Sequence, residues 1–261
     1  MKSASSRRGP KTPDGLDQVY GVHALQSLLD RGEAPRELWV QQGAGSRLKE
    51  LITQAQAHGA RVKEQPRDLL DQLTQGAAHQ GVVAFCPPLT PEGEESLWLK
   101  LRAWPSNTPP LLLILDGVTD VHNFGACLRS ADAAGAHGVI VAKDKAAPLN
   151  ATVRKVACGA AEVVAVYQVT NLARTLAKLK DAGVWITGTA GEAEASVFDI
   201  DMTGPTALVM GAEGKGMRRL TREACDNLAK LPMAGEVSSL NVSVATGICL
   251  FEAVRQRQLA S

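Results

Sequence analysis

The sequence predicts an α/β protein: a small α/β domain followed by a larger domain built on a parallel sheet. Three observations carry this. Strand-like and helix-like apolar patterns alternate along most of the chain. One run, Leu111-Leu-Leu-Ile-Leu, is apolar without interruption, as strands buried on both faces of a parallel sheet are. Prolines at 87, 88, 91, 105, 109 and 110 set that run apart from the elements upstream.

Residues 1–17 are rich in Ser, Arg, Lys, Pro and Gly and predict a disordered basic tail. In a first domain over 18–87, the patterns predict a helix at 23–29, a strand at 37–41, a helix at 47–58 and a strand at 61–63. A helix at 66–73 and a strand at 81–86 complete it. The proline-rich stretch 88–109 predicts a linker with one short helix at 94–104. The second domain, 110–261, predicts strands at 111–115, 138–142, 163–166, 184–187 and 206–210. Helices fall at 125–134, 150–158 and 172–182. A last helix at 241–257 is apolar almost all round in its first half, so that half is expected to be buried; Arg255 and Arg257 suit its C-terminal end.

Composition narrows the function. The 261 residues carry a net charge of +1, so any nucleic-acid contact must come from local clusters such as Arg7, Arg8 and Lys11, Arg154 and Lys155, or Arg218, Arg219 and Arg222. The five cysteines are dispersed and lack a Cys-x-x-Cys pair, and the five histidines are scattered too. That pattern predicts reduced thiols in a cytoplasmic protein and no metal site. No signal peptide or membrane-spanning run is expected.

Ligands of open parallel sheets bind at the C-terminal ends of the strands. Three strands lead there into distinctive loops. The first is Asp116-Gly-Val-Thr-Asp-Val-His-Asn-Phe-Gly-Ala-Cys-Leu-Arg, the second Gly188-Thr-Ala-Gly-Glu-Ala, the third Gly211-Ala-Glu-Gly-Lys-Gly-Met. The third is neither a Walker A loop, since Gly216 follows Gly214-Lys215, nor a Gly-x-Gly-x-x-Gly turn. In the first loop, a helix beginning near Gly125 would let Arg129 turn back toward the strand ends, where its fork suits a phosphate or carboxylate. A surface salt bridge is the plainer use of such an arginine. Downstream, Ser238, Ser239, Asn241 and Ser243 enter an otherwise apolar helix, which suits either a helix cap or the polar wall of a site.

Three segments together, Asn123-x-Gly-x-x-x-Arg129, Gly211-Ala-Glu-Gly-x-Gly, and Pro232 followed by Ser239-Leu-Asn-Val-Ser-Val-Ala, resemble the three signature motifs of the SpoU (TrmH) family. That family is a branch of the SPOUT superfamily of RNA ribose 2′-O-methyltransferases. The resemblance covers 111–257, and no motif position departs from it. Val19-Tyr-Gly-Val-His-Ala and His79-Gln-Gly-Val resemble the RNA-binding domain of its two-domain members, itself similar to small ribosomal proteins. The resemblance implies a C-terminal SPOUT domain with a parallel sheet and a deep trefoil knot, although general rules of topology disfavour knots. It implies S-adenosylmethionine as cofactor, held by Thr189, Gly191, Met210, Gly211, Gly216, Leu231, Met233 and Leu240. Asn123, Arg129, Glu213, Ser239 and Asn241 would form the catalytic group. The implied reaction is 2′-O-methylation of a guanosine in 23S ribosomal RNA by a homodimer. A transfer RNA substrate, or a non-catalytic RNA-binding assembly factor, are the alternatives.

Overall fold

The computed structural model describes residues 12–43, 45–105 and 107–260. Most of the expected tail therefore lies outside the described residues. Asp17, expected in that tail, already opens a strand. The chain divides into two compact units between Leu89 and Thr90.

The first unit runs β1 (Asp17–Tyr20), α1 (Val22–Asp30), β2 (Glu37–Gln41), α2 (Ser46–Ala57), β3 (Arg61–Gln65), α3 (Arg67–Leu73) and β4 (Val82–Cys86). Its sheet has the order β1-β4-β2-β3, with β4 antiparallel to both neighbours and β2 parallel to β3. β4 is buried throughout, and the pleat divides its side chains between two cores. Val82, Ala84 and Cys86 pack with Leu25, Leu28 and Leu38, whereas Val83 and Phe85 pack with Leu70 and Leu73. The two motif segments of this unit meet here. Gln80 Oε1 accepts from the Val22 N–H at 2.9 Å, capping α1, which has no side-chain cap of its own. The buried His79 accepts from the Gly81 N–H through Nδ1, leaving Nε2–H to donate to Asp71 at 2.8 Å.

The second unit begins earlier than the proline pattern suggests. The stretch expected as a linker supplies β5 (Glu92–Gly93) and α4 (Glu94–Arg102), and β5 pairs with the larger sheet. Then come β6 (Leu111–Asp116), α5 (Val121–Ala133), β7 (Gly138–Ala142), α6 (Ala151–Val156), α7 (Ala160–Val163) and β8 (Val166–Val169). They are followed by α8 (Leu172–Asp181), β9 (Trp185–Thr189), β10 (Ala195–Ser196), a 3-10 turn (Val197–Asp199) and β11 (Thr206–Gly211). α9 (Arg219–Glu223), β12 (Asn227–Lys230) and α10 (Val242–Ala260) close the chain. The eight strands lie in the order β10-β12-β9-β11-β6-β7-β8-β5, parallel at every pairing.

That order has the crossing that the expected knot needs. β9 pairs with β11, and residues 190–205 join them, so the three together close a ring. β12, which comes later in the chain, lies between β9 and β10 and pairs with both, although only residues 190–194 connect those two strands. The later β12 thus sits between two strands that residues 190–194 join, the placement that the expected knot requires. α10 then returns to pack on α5.

Three elements differ from the sequence expectation. The helix expected to start near Gly125 starts at Val121, because Asp120 caps it by accepting from the Asn123 N–H at 2.8 Å. Gly125 instead marks the closest approach of α5 to α6: a Cβ there would lie 2.7 Å from Val156 Cβ. The strand expected at 163–166 is displaced to Val166–Val169, and Ala160–Val163 is helical. The buried Glu162 carboxylate is held there by the buried guanidinium of Arg154, which fixes this short turn. Finally, the first half of α10 is not wholly buried. It buries Val242, Thr246, Cys249 and Leu250 but leaves Val244, Ile248 and Phe251 at 51%, 36% and 49% exposure. Arg257 does more than meet the helix dipole: its guanidinium donates to the carbonyls of Pro109, Pro110, Met202 and Gly204.

Candidate active site

Parallel registry sets the site. Gly211, at the end of β11, lies opposite Asp116, at the end of β6. The loops that leave these strands therefore start side by side, with the loop after β9 beyond them. The β11 loop is folded tightly: Ala212 and Gly216 exchange hydrogen bonds at 3.1 and 2.8 Å. Asp116, 1% exposed, clamps the far end of that loop. Its carboxylate accepts from the Arg218 backbone N–H at 2.7 Å and from the Arg218 Nε at 2.5 Å. Met217, just inside the clamp, packs on Gly188, where a Cβ would meet the Met217 Cε at 2.7 Å.

This arrangement raises Glu213 over the start of α10. Glu213 Oε1 accepts from Asn123 Nδ2 at 3.2 Å, from Asn241 Nδ2 at 2.7 Å and from the Val242 N–H at 3.3 Å. Asn241 Nδ2 also donates to Asn123 Oδ1 at 2.9 Å, closing a triangle of three side chains from three separate segments: the first turn of α5, the β11 loop and the start of α10. The same Asn241 caps α10, because its Oδ1 accepts from the Ser243 N–H and Oγ at 2.9 and 2.6 Å. Cap and polar wall are therefore one residue. A carboxylate at a helix N-terminus is also favoured by the helix dipole.

Beside the triangle opens a cleft of about 620 Å³, within the usual range for small-molecule sites. Thr189, Gly191, Met210, Gly211, Gly216, Leu231, Met233 and Leu240 all line it, as do Glu213, Ser239 and Asn241. Asn123 reaches it through its bonds to Glu213 and Asn241. Arg129 does not join the group. With α5 starting at Val121, Arg129 lies eight residues in, about 12 Å along the axis. It is exposed, and its Nη1 contacts the Cys158 Sγ at 3.8 Å. Asp116 and Glu192 had no expected role, and Arg218 and Arg222, expected as part of a basic cluster for nucleic acid, are instead paired with them, the Glu192–Arg222 pair on the cleft wall. Asp116 was visible as the polar end of an apolar strand, but nothing in the sequence links it to a position 102 residues away.

Burial pushes the Cys127 thiol up to about 11 and the Cys249 thiol up to about 12, which disfavours their thiolates. Among the described residues, no group of three His, Cys, Asp or Glu could hold a metal ion. None of the helices among them is long and apolar enough to cross a membrane.

Residues 110–251 match the SpoU rRNA Methylase family. This chain belongs to that family. Residues 18–92 match the RNA 2'-O ribose methyltransferase substrate binding domain. The chain is 57% identical over 246 residues to the 23S rRNA (guanosine-2'-O-)-methyltransferase RlmB of Pseudomonas putida, covering 94% of this chain and 98% of that one. It is 56% identical over 243 residues to its counterpart in Escherichia coli, covering 92% and 99%. Among solved structures, the SpoU methyltransferase AviRb from Streptomyces viridochromogenes, in complex with the cofactor AdoMet, superposes with a TM-score of 0.76. It is 27% identical and covers 94% of this chain and 92% of that one. These three relatives match this chain across both of its units.

Proposed function

We propose that this protein methylates the 2′-hydroxyl of a guanosine in 23S ribosomal RNA, using S-adenosylmethionine. The observation that carries the reading is the convergence of Asn123, Glu213 and Asn241, from three separate segments, at the edge of a cleft of matching size. The high identity to full-length relatives that act on this RNA supports it.

The cleft suits the cofactor chemically. Met210, Met217, Leu231 and Leu240 offer apolar walls for an adenine, and the loop backbones offer N–H and C=O groups for its polar edges. S-adenosylmethionine, when bound, supplies the electrophilic methyl group. The protein's task is then to position one ribose hydroxyl and disfavour the others. Glu213 Oε1 fixes the two asparagine amides, while no described residue engages Oε2, which is free to accept from the 2′-hydroxyl. Ser239 lines the same wall and adds a hydroxyl for the ribose or the cofactor's polar end. The Arg129 guanidinium offers only hydrogen-bond donors and no acceptor, so its part is charge and not proton acceptance. Exposed on the flank of α5, it serves instead to hold an RNA phosphate. The decisive experiment maps 2′-O-methyl groups on ribosomal and transfer RNA from cells with and without the protein. Loss of one guanosine mark in 23S RNA is expected; loss confined to transfer RNA, or no loss, overturns the reading.

The working unit is a homodimer in this reading, located in the cytoplasm with the ribosomal RNA. Val244, Ile248 and Phe251 recur at helical spacing as one exposed apolar stripe on α10. A second copy of the same stripe would cover it. Wild-type protein is expected to sediment as a dimer at micromolar concentration, and Phe251→Glu as a monomer. A monomeric wild type would sink this assignment.

A further inference from the structure

The rim of the sheet carries one more charged feature, on the side of β6 away from β11. β7 pairs with β6 in parallel, with Val141 opposite Leu115, so Ala142 stands level with Asp116 and Lys143 with Gly117. The loop 143–150 that follows β7 therefore rises beside the loop that leads to Asn123. It is tied there by the Ala147 N–H donating to the Val118 carbonyl at 2.8 Å, while the Lys143 N–H donates to Val169 at 2.8 Å. Lys143 and Lys145 are both exposed, and among the described residues neither pairs with a carboxylate. Lys145 also holds φ +57°, a left-handed conformation that a lysine adopts only at a cost.

We propose that Lys143 and Lys145 form a phosphate-binding edge that grips the RNA backbone next to the target ribose. The inference rests on the RNA-methylating reading above and extends it to the substrate's path. Two interstrand spacings, about 10 Å, separate the end of β7 from the end of β11, whose loop carries Glu213. A ribose held at Asn123, Glu213 and Asn241 then brings a neighbouring phosphate over β7. The cleft lining combines Glu192 and Glu213 with Lys215, Arg222 and Lys230, and Glu192 is paired with Arg222, so a phosphate beyond the bound ribose needs a contact of its own beside the cleft. Unpaired ammonium groups on a loop fixed at both ends supply it, as mobile charges that carry register but not sequence. The left-handed Lys145 has a reason to be tolerated where a glycine would be easier.

The test uses the full-length protein and an unmodified 23S ribosomal RNA transcript, with binding followed by fluorescence anisotropy across potassium chloride concentrations. For Lys143→Ala/Lys145→Ala, RNA affinity is expected to fall on the order of tenfold, and the slope of log affinity against log salt to shrink by roughly 1.5. Calorimetric affinity for S-adenosylmethionine should match wild type. Lys143→Arg/Lys145→Arg should keep the wild-type slope. Lys145→Gly separates charge from backbone: its melting temperature should hold or rise as the left-handed strain is removed, while the slope still falls. Unchanged slopes in the double alanine and glycine variants would overturn the proposal, as would a fall in affinity explained by unfolding. Wild-type protein that binds this RNA with a steep salt dependence yet leaves it unmethylated overturns the methyltransferase reading alone, and the slopes still decide the lysines.

Discussion

Glu213→Ala is expected to lower methyl transfer to 23S ribosomal RNA by about a hundred- to a thousandfold, the usual range for losing a group that organises a polar site. Three donors converge on its Oε1, two of them the side-chain amides of Asn123 and Asn241. Without that acceptor, both amides lose their common anchor. Asn241 keeps its bonds to Ser243, so the α10 cap survives and the fold should not weaken much. Glu213 is exposed, so its removal leaves no buried charge behind. The melting temperature should therefore stay close to wild type while activity collapses. Glu213→Gln tells charge from geometry: the amide can keep one acceptor toward the asparagines but loses the negative charge above the helix N-terminus. Activity between that of alanine and wild type is expected for it. A Glu213→Ala enzyme with an unchanged kcat on the transcript would remove Glu213 from the site.

The same triangle shows how far the sequence could be read. The apolar run at 111–115 and the alternation around it located β6, β7, β9 and β11, the middle of the larger sheet, because burial on both faces leaves a continuous signal. The motif residues at 123, 213 and 241 were legible only as a set. Each alone fits a cap, a tight connection or a surface charge. β12 was not legible, since Asn-Leu-Ala-Lys is four residues with polar ends, and β10 is only two residues long. The knot was therefore invisible to periodicity: its threading depends on these two short strands and on order, not composition. The place of Arg129 along its helix was hidden for a different reason. Gly125 looked like a helix start, whereas it is an interhelical contact, and Asp120 starts the helix four residues sooner. The exposed stripe of α10 was not legible either, because a helix apolar almost all round suggests burial on every face and does not say which face the chain itself covers.

Gly211→Ala is expected to abolish measurable cofactor binding, at least about a hundredfold in affinity, and to lower the melting temperature by several degrees. A Cβ at Gly211 would lie 2.3 Å from the Gly216 carbonyl carbon and 2.4 Å from the Met217 nitrogen. Both are backbone atoms, so no side-chain rotation can relieve the clash. The loop must lift, but it is held at both ends: by the Ala212–Gly216 bridge and by Asp116 on Arg218. Lifting costs those bonds and draws Met217 off Gly188, opening the wall formed by Met210, Gly211 and Gly216. Overpacking of this kind typically costs about 1–3 kcal/mol, a shift of roughly 2–4 °C per kcal/mol in a chain of this size. Gly204→Ala provides the contrast. No atom lies within 4 Å of its Cβ position, and its φ is not left-handed, so its melting temperature should move little. If calorimetry gave Gly211→Ala wild-type affinity for S-adenosylmethionine, the cofactor could not lie against this turn. The glycine would then serve only the fold, and the cleft's assignment would fall with it.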